Sequence, residues 1–253
     1  MQVSELVSLK GLNEKNYGQV LCYPRYEQEE IERRLKELEK LGVKFLEFAG
    51  EKSVLGIPVL GKGCVGIVVV AYTNFGKVAL KIRRVDADRK EMFNEGRMLN
   101  IANIIDVGPK LLEVSQNFLI MELVEGTFFP EWLKSLVENV QLRVRLVLKD
   151  ILEQCYRLDE AGLDHGELSR APKHIIIDTD NIPHLIDFET ASVNRRVSNV
   201  TSVSQYLFLG SRIAKKVIEK NGKFDEKELI NSLRTYKKER TREDFEKILE
   251  IIF

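Results

Sequence analysis

Apolar positions along this chain follow two regimes. Between residues 57 and 82 they come in short β-branched runs broken by glycine and polar turns: Ile57-Pro58-Val59-Leu60, Ile67-Val68-Val69-Val70-Ala71-Tyr72 and Val78-Ala79-Leu80-Lys81-Ile82. Runs of this length bounded by turn residues predict strands. Two more strands are expected at 110–116 and 117–122, after the turn Val107-Gly108-Pro109. From residue 130 onward the apolar positions take helical spacing. Helices are expected over 130–138, led by Pro130, and over 140–161, with Leu142, Leu146, Ile151 and Leu152 facing inward. Further helices are expected over 200–220, over 225–237 with Asp225 and Glu228 as a capping pair, and over 241–252, opened by Thr241. Two helices interrupt the strand-rich half. One covers 27–41, with Ile31, Leu35, Leu38 and Leu41 on one face and Gly42 just past its end. The other covers 87–103 and buries Met92, Met98, Leu99 and Ile101. Strands first and helices afterwards make an α+β chain. The expected division is an N-terminal extension with one helix at 1–50, a sheet region at 51–124 and a compact, mostly helical region at 125–253.

The length, 253 residues, suits one large domain or two small lobes. Lys plus Arg number 39 and Asp plus Glu 39, so net charge gives no support to direct nucleic-acid binding. The helix at 27–41 carries Arg33 and Arg34, which leaves a DNA-reading helix as an alternative to packing, but glutamates surround them. Cys22, Cys64 and Cys155 form no CxxC and no disulfide framework, which fits a reducing cytoplasm. No apolar run approaches the roughly 20 residues of a membrane helix. Residues 1–12 carry Glu5 and Lys10, so neither a signal peptide nor a membrane partner is expected.

The candidate chemistry lies in two places. The first is Gly61-Lys62-Gly63-Cys64-Val65-Gly66, which joins two strands instead of opening a helix. In that setting the glycines would let backbone N–H groups approach phosphate, with Lys81 on the next strand. The second is Asp164-His165-Gly166-Glu167-Leu168, followed by the strand Ile175-Ile176-Ile177 and then by Leu185-Ile186-Asp187-Phe188-Glu189. A hairpin here can aim Glu167 and Asp187 at one point, one to handle a hydroxyl proton and the other to hold Mg²⁺.

Taken in order, these motifs resemble those of the protein-kinase-like superfamily: GxGxxGxV, V-A-I-K, H-R-D and D-F-G. Gly61, Gly63, Gly66 and Val68 match the first motif, and Val78-Ala79-Leu80-Lys81 the second. The resemblance implies a bilobal fold with an antiparallel-sheet N-lobe, a helix C and a compact helical C-lobe. It implies that Lys81 holds the ATP phosphates and that Glu95 pairs with Lys81, with Glu91 as the fallback. Met121 would be the gatekeeper, and the backbone of Glu122 and Val124 would hold adenine. Asp187 would bind Mg²⁺, with Mn²⁺ as the alternative cation. A lysine of this kind is expected to be dispensable for folding.

Several positions depart from the superfamily pattern. Glu167 replaces an aspartate and adds a methylene, about 1.5 Å of reach; a misplacement of that size costs on the order of 100-fold in rate unless the loop is reshaped. The metal-binding asparagine is absent: Pro172 stands in its place, and an insertion would align Lys173 or His174 with it, neither a good Mg²⁺ ligand. Glu189 replaces the glycine of D-F-G, and either approaches the metal or faces solvent. His165 is read as a scaffold residue. No A-P-E follows. In these features the chain is similar to the RIO kinases, to the kinase of the KEOPS tRNA-modification complex and to small archaeal serine/threonine kinases with HGEL and DFE motifs. The I-D-F-E run is also similar to that of choline- and aminoglycoside-type kinases.

The leading expectation is therefore an atypical serine/threonine protein kinase or related ATPase, with catalytic Lys81, Glu167 and Asp187. Its partners would be a nucleotide and a folded protein or other macromolecular surface. A nucleotide-binding pseudokinase scaffold and a small-molecule phosphotransferase are the alternatives.

Overall fold

The computed structural model describes residues 4–14, 16–138 and 140–253. The start of the expected N-terminal extension, residues 1–3, lies outside them, as do residues 15 and 139. The chain divides into two compact units: residues through Arg97 together with Lys110–Leu123, and Met98–Pro109 together with Val124–Phe253. It is an α+β protein, with an N-terminal antiparallel sheet region followed by a mostly helical part.

In chain order the first unit holds β1 (Glu5–Ser8), α1 (Gly11–Glu14), α2 (Gln28–Lys40), β2 (Phe45–Phe48), β3 (Lys52–Val54), β4 (Ile57–Val59), β5 (Gly61–Lys62), β6 (Gly66–Thr73) and β7 (Gly76–Arg83). After α3 (Phe93–Ile104), which begins in this unit, come β8 (Leu111–Val114) and β9 (Phe118–Glu122). The sheet runs β1-β2-β6-β7-β9-β8, with β5 paired to β6 and β3 to β4. Residues 5–8 and 45–48, read from sequence as part of an extension with one helix, thus supply two strands of the sheet. Their apolar residues alternate, with Leu46 and Phe48 buried, but each strand is too short to signal itself against its neighbours.

Helix α2 packs Ile31 and Leu38 into the core beneath the sheet. Arg34 is wholly buried on the same face. Its guanidinium donates to Glu30 Oε1, to the carbonyl oxygens of Leu21 and Arg83, and to Asn117 Oδ1. Burial pushes its pKa down to about 10, so it is still charged at neutral pH. Glu37, one turn on, accepts from Ser115 Oγ and from the backbone and side-chain nitrogens of Asn117. An enclosed guanidinium cannot reach a base edge, so the DNA-reading alternative for α2 fails at Arg34.

The second unit continues with β10 (Gly126–Phe128), α4 (Phe129–Ser135), α5 (Gln141–Glu160), β11 (Ile175–Asp178), β12 (Pro183–Leu185), α6 (Asn199–Phe208), α7 (Arg212–Asn221), α8 (Glu226–Glu239) and α9 (Arg242–Ile252). Strands β10, β11 and β12 form a small antiparallel sheet. The Asp225 side chain caps α8 and Thr241 caps α9. Gly210 breaks the run expected at 200–220 into α6 and α7. On α5 the inward stripe is Val144, Val147, Leu148, Ile151, Leu152 and Cys155, whereas Leu142 and Leu146 are exposed. The correction has a simple cause. The stripe through Leu142 and Leu146 runs on into Lys149, Asp150 and Glu153, while the stripe through Val144 stays apolar to the end. No helix among the described residues is long and apolar enough to cross a membrane.

Candidate functional site

In the first unit, β6 and β7 pair with Val68 opposite Lys81. Lys81 is buried, and its Nζ lies 2.7 Å from Glu95 Oε1 on α3, which is buried too. Two enclosed opposite charges at this distance orient the lysine tip. The helix expected to begin at residue 87 starts at Phe93, one residue after buried Met92, and Glu91 is exposed before it. Glu95 is therefore the partner and Glu91 is not. Burial sets a different expectation for Lys81 from that of a residue the fold can spare: removing it takes away the cation 2.7 Å from an enclosed carboxylate.

Gly66 lies under Lys81, and a Cβ there would come within 3.0 Å of the lysine's Cγ and Cε. The other two loop glycines have ordinary space, so only Gly66 is required on steric grounds. The loop is held by hydrogen bonds of its own. Gly63 N donates to Gly66 O, Arg84 N to Val65 O, and Arg84 Nη1 to Gly63 O. Lys62 and Arg84 both sit over the Tyr23 ring, at 4.6 and 5.0 Å. Met121 lies opposite Ala79 in the sheet and is half-buried. Glu122 N is taken by Lys110 O, and Val124 is half-buried in the second unit.

In the second unit the hairpin of β11 and β12 carries Asp187 just past its end, in the left-handed region at φ 70°. Aspartate tolerates this conformation better than most residues, and such local strain gathers at functional sites. The segment from Asp164 to His174 lies against the hairpin, since Ile186 N donates to His174 O and the His165 ring to Ile186 O. Gly166 has φ 93°, and a Cβ there would fall 2.5 Å from Arg195 Nη2. No other residue fits that position without displacing Arg195.

Glu167, His174 and Asp187 come together here, with one possible ligand atom from each lying within 4.8 Å of the others. His174 Nε2 is 2.9 Å from Glu167 Oε2, and His174 Nδ1 is 4.0 Å from Asp187 Oδ2. Of the two residues that could align with the missing asparagine, His174 is buried against the acids and Lys173 is exposed. Glu189 is half-buried and does not belong to this group. His165 is fully enclosed. Its pKa is lowered to about 4 by burial and by the nearby His174, so its ring stays neutral and donates to Ile186 O. This suits a residue that shapes the loop.

Sequence reasoning missed the clamp beneath the loop. Asp164 Oδ2 accepts from Arg195 Nε at 2.6 Å, and its Oδ1 accepts from the backbone and hydroxyl of Ser198. Asp164 and Ser192 exchange two backbone hydrogen bonds. Asn199 ties His165 N to Asp159. Nothing local to Arg195 or Asn199 in the sequence signals this, because their partners lie 31 to 40 residues away.

No protein-family model matches the sequence, and no curated protein matches it. The chemistry of the site is therefore read from its own residues.

Proposed function

We propose that the chain is an atypical serine/threonine protein kinase of the bilobal, protein-kinase-like fold. It would transfer the γ-phosphoryl group of ATP to a protein hydroxyl, with hydrolysis to free phosphate as its limiting ATPase case. The observation that carries this reading is the buried Lys81–Glu95 pair on a strand that follows a glycine loop. A phosphotransferase needs a cation fixed in place before the phosphates arrive, and this arrangement supplies one. Lys81 would hold the α- and β-phosphates, and the loop from Gly61 to Gly66, with Val68, would cover the nucleotide. Met121, Glu122 and Val124 would frame the adenine. Asp187 would hold the cation, Mg²⁺ or Mn²⁺, which when bound offsets charge on the transferring group. Glu167 would take the proton of the acceptor hydroxyl. A carboxylate has two oxygens, so one can hold His174 while the other faces a substrate.

Glu167→Gln tests the proton step, because glutamine keeps the shape but accepts no proton at this pH. At saturating metal, transfer should fall roughly 100-fold, within the usual range for a general base, with the affinity for metal-free nucleotide nearly unchanged. Full activity in that variant would remove Glu167 from the mechanism. The 2.9 Å contact between Glu167 and His174 favours one second reading, a nucleotide-binding scaffold whose acid is engaged elsewhere. Wild-type protein that binds ATP and transfers nothing would establish that reading.

The acceptor should be a folded surface, with no need for prior phosphorylation of the segment after Asp187. Ser198 Oγ already donates to Asp164, and Arg195 already clamps the same carboxylate. A phosphate on Ser198 would place like charge against Asp164 and loosen the loop. Activity of unphosphorylated protein on intact proteins and on short peptides is the measurement. Selective peptide phosphorylation switched on by modification within residues 192–202 would contradict the expectation.

A further inference from the structure

His174 carries two nitrogens with different fates. Its Nε2 lies 2.9 Å from Glu167 Oε2. A carboxylate oxygen only accepts, so Nε2 holds a hydrogen, and in the neutral ring Nδ1 then holds the lone pair. That Nδ1 is buried, has no hydrogen-bond partner, and faces Asp187 Oδ2 across 4.0 Å. The residue as a whole is 8% exposed. A neutral imidazole nitrogen and a carboxylate oxygen in this relation both offer electron pairs to the same point. Two tetrahedral metal–ligand bonds of about 2.1 Å put their donors about 3.4 Å apart, so one cation can touch both atoms after the side chains close by about 0.6 Å. Behind the ring, Glu167 performs the task usual for a carboxylate next to a metal-bound histidine: it fixes the tautomer and orients the ring.

We propose that His174 Nδ1 and Asp187 Oδ2 form a divalent-cation site that selects first-row transition metals over Mg²⁺. Mg²⁺ demands oxygen ligands in near-ideal octahedral geometry and keeps its waters. Imidazole suits Fe²⁺, Co²⁺, Ni²⁺ and Zn²⁺ instead. The proposal deepens the kinase reading, since Asp187 is the acid that reading assigns to the nucleotide's cation, and it makes His174 the residue that sets which cation is used. Glu167 then has a positioning role toward His174 in addition to its proposed role toward the acceptor hydroxyl.

The histidines at 165, 174 and 184 are the full set in this chain, 3 in all, so imidazole ¹⁵N spectra of the intact protein can be assigned one ring at a time. Adding Zn²⁺ should move the His174 Nδ1 resonance and leave His165 unmoved, and Mg²⁺ at the same concentration should move neither. Titration with Co²⁺, followed by its visible absorption, should give an affinity at least roughly 100-fold above that for Mg²⁺ measured by displacement. His174→Asn, which puts an amide oxygen in place of the ring, should narrow that ratio about 10-fold or more. Glu167→Gln should weaken Co²⁺ by roughly 10- to 100-fold.

An unmoved Nδ1 resonance in the wild type overturns the proposal whether or not the variants fold, and so does equal affinity for Co²⁺ and Mg²⁺. The two readings separate cleanly. Zn²⁺ ligation by His174 without phosphoryl transfer keeps the metal site and removes the kinase. Mg²⁺-supported transfer with His174 Nδ1 unmoved keeps the kinase and removes the metal selectivity.

Discussion

Replacing Lys81 by Met should lower the unfolding free energy by roughly 3–5 kcal/mol, the usual cost of removing one partner of a buried ion pair. Lys81 and Glu95 are 4% and 5% exposed, so little water reaches the carboxylate left behind. Urea denaturation at neutral pH measures the loss. Replacing Glu95 by Met as well should return most of it, because two enclosed charges give way to two apolar side chains of similar volume. Phosphoryl transfer should behave differently. It should fall by roughly 10²–10³-fold in the single variant, the scale of losing one preorganised charge-stabilising group, and stay down in the double variant. Recovery of activity together with stability would mean that Lys81 serves the fold alone. A single variant as stable as the wild type would mean that the pair is solvated in solution.

Arg34→Met should be about as costly, roughly 3–5 kcal/mol, and for a reason unconnected with chemistry. The guanidinium ties α2 to Leu21, Arg83 and Asn117, and so joins the N-terminal segment to the last residue of β7. Methionine fills part of the volume but leaves Glu30, 7% exposed, with only the exposed Arg33 as its cation, and two carbonyl oxygens without the guanidinium donor. Arg34→Lys should recover little, since one ammonium cannot reproduce the guanidinium's planar fork toward four acceptors. A destabilisation below about 1 kcal/mol for Arg34→Met, the scale of an exposed ion pair, would show that the network contributes no more than surface contacts do.

How far these features were legible in the sequence depends on the range of the interaction behind each. The β-branched runs after Ile57 and the helical stripes after Pro130 are local patterns, and the strands and helices form close to where the patterns lie. Thr241 and Asp225 sit three residues or fewer from the amides they cap. Sequence pattern and structure part where two local signals compete. On α5 a short leucine spacing suggested one face, and the longer apolar stripe determined which face is buried. Ahead of α3 the charged residues 87–91 fit a helix in pattern, yet the helix begins only at Phe93. Glu95 was identifiable only through the resemblance of Glu95-Gly96-Arg97-Met98-Leu99 to the helix-C segment of small atypical kinases. Lys173 and His174 stand equally close to the missing asparagine in the sequence, and that imidazole is a poor Mg²⁺ ligand carries no information about which of them lies beside Asp187. Arg34 looked like a surface arginine among glutamates. Its burial follows from a hydrogen bond to Asn117, 83 residues away, which no local pattern encodes.

The central claim, phosphoryl transfer from ATP, is tested most directly by incubating the protein with γ-labelled ATP and either Mg²⁺ or a transition metal, then separating phosphoprotein from free phosphate. Asp187→Asn, which removes the acid proposed to hold the cation, is the control. The account predicts label on protein hydroxyls, or free phosphate in the ATPase limit, with both lost in Asp187→Asn. Intact ATP under every metal condition, or turnover that survives Asp187→Asn unchanged, would contradict it.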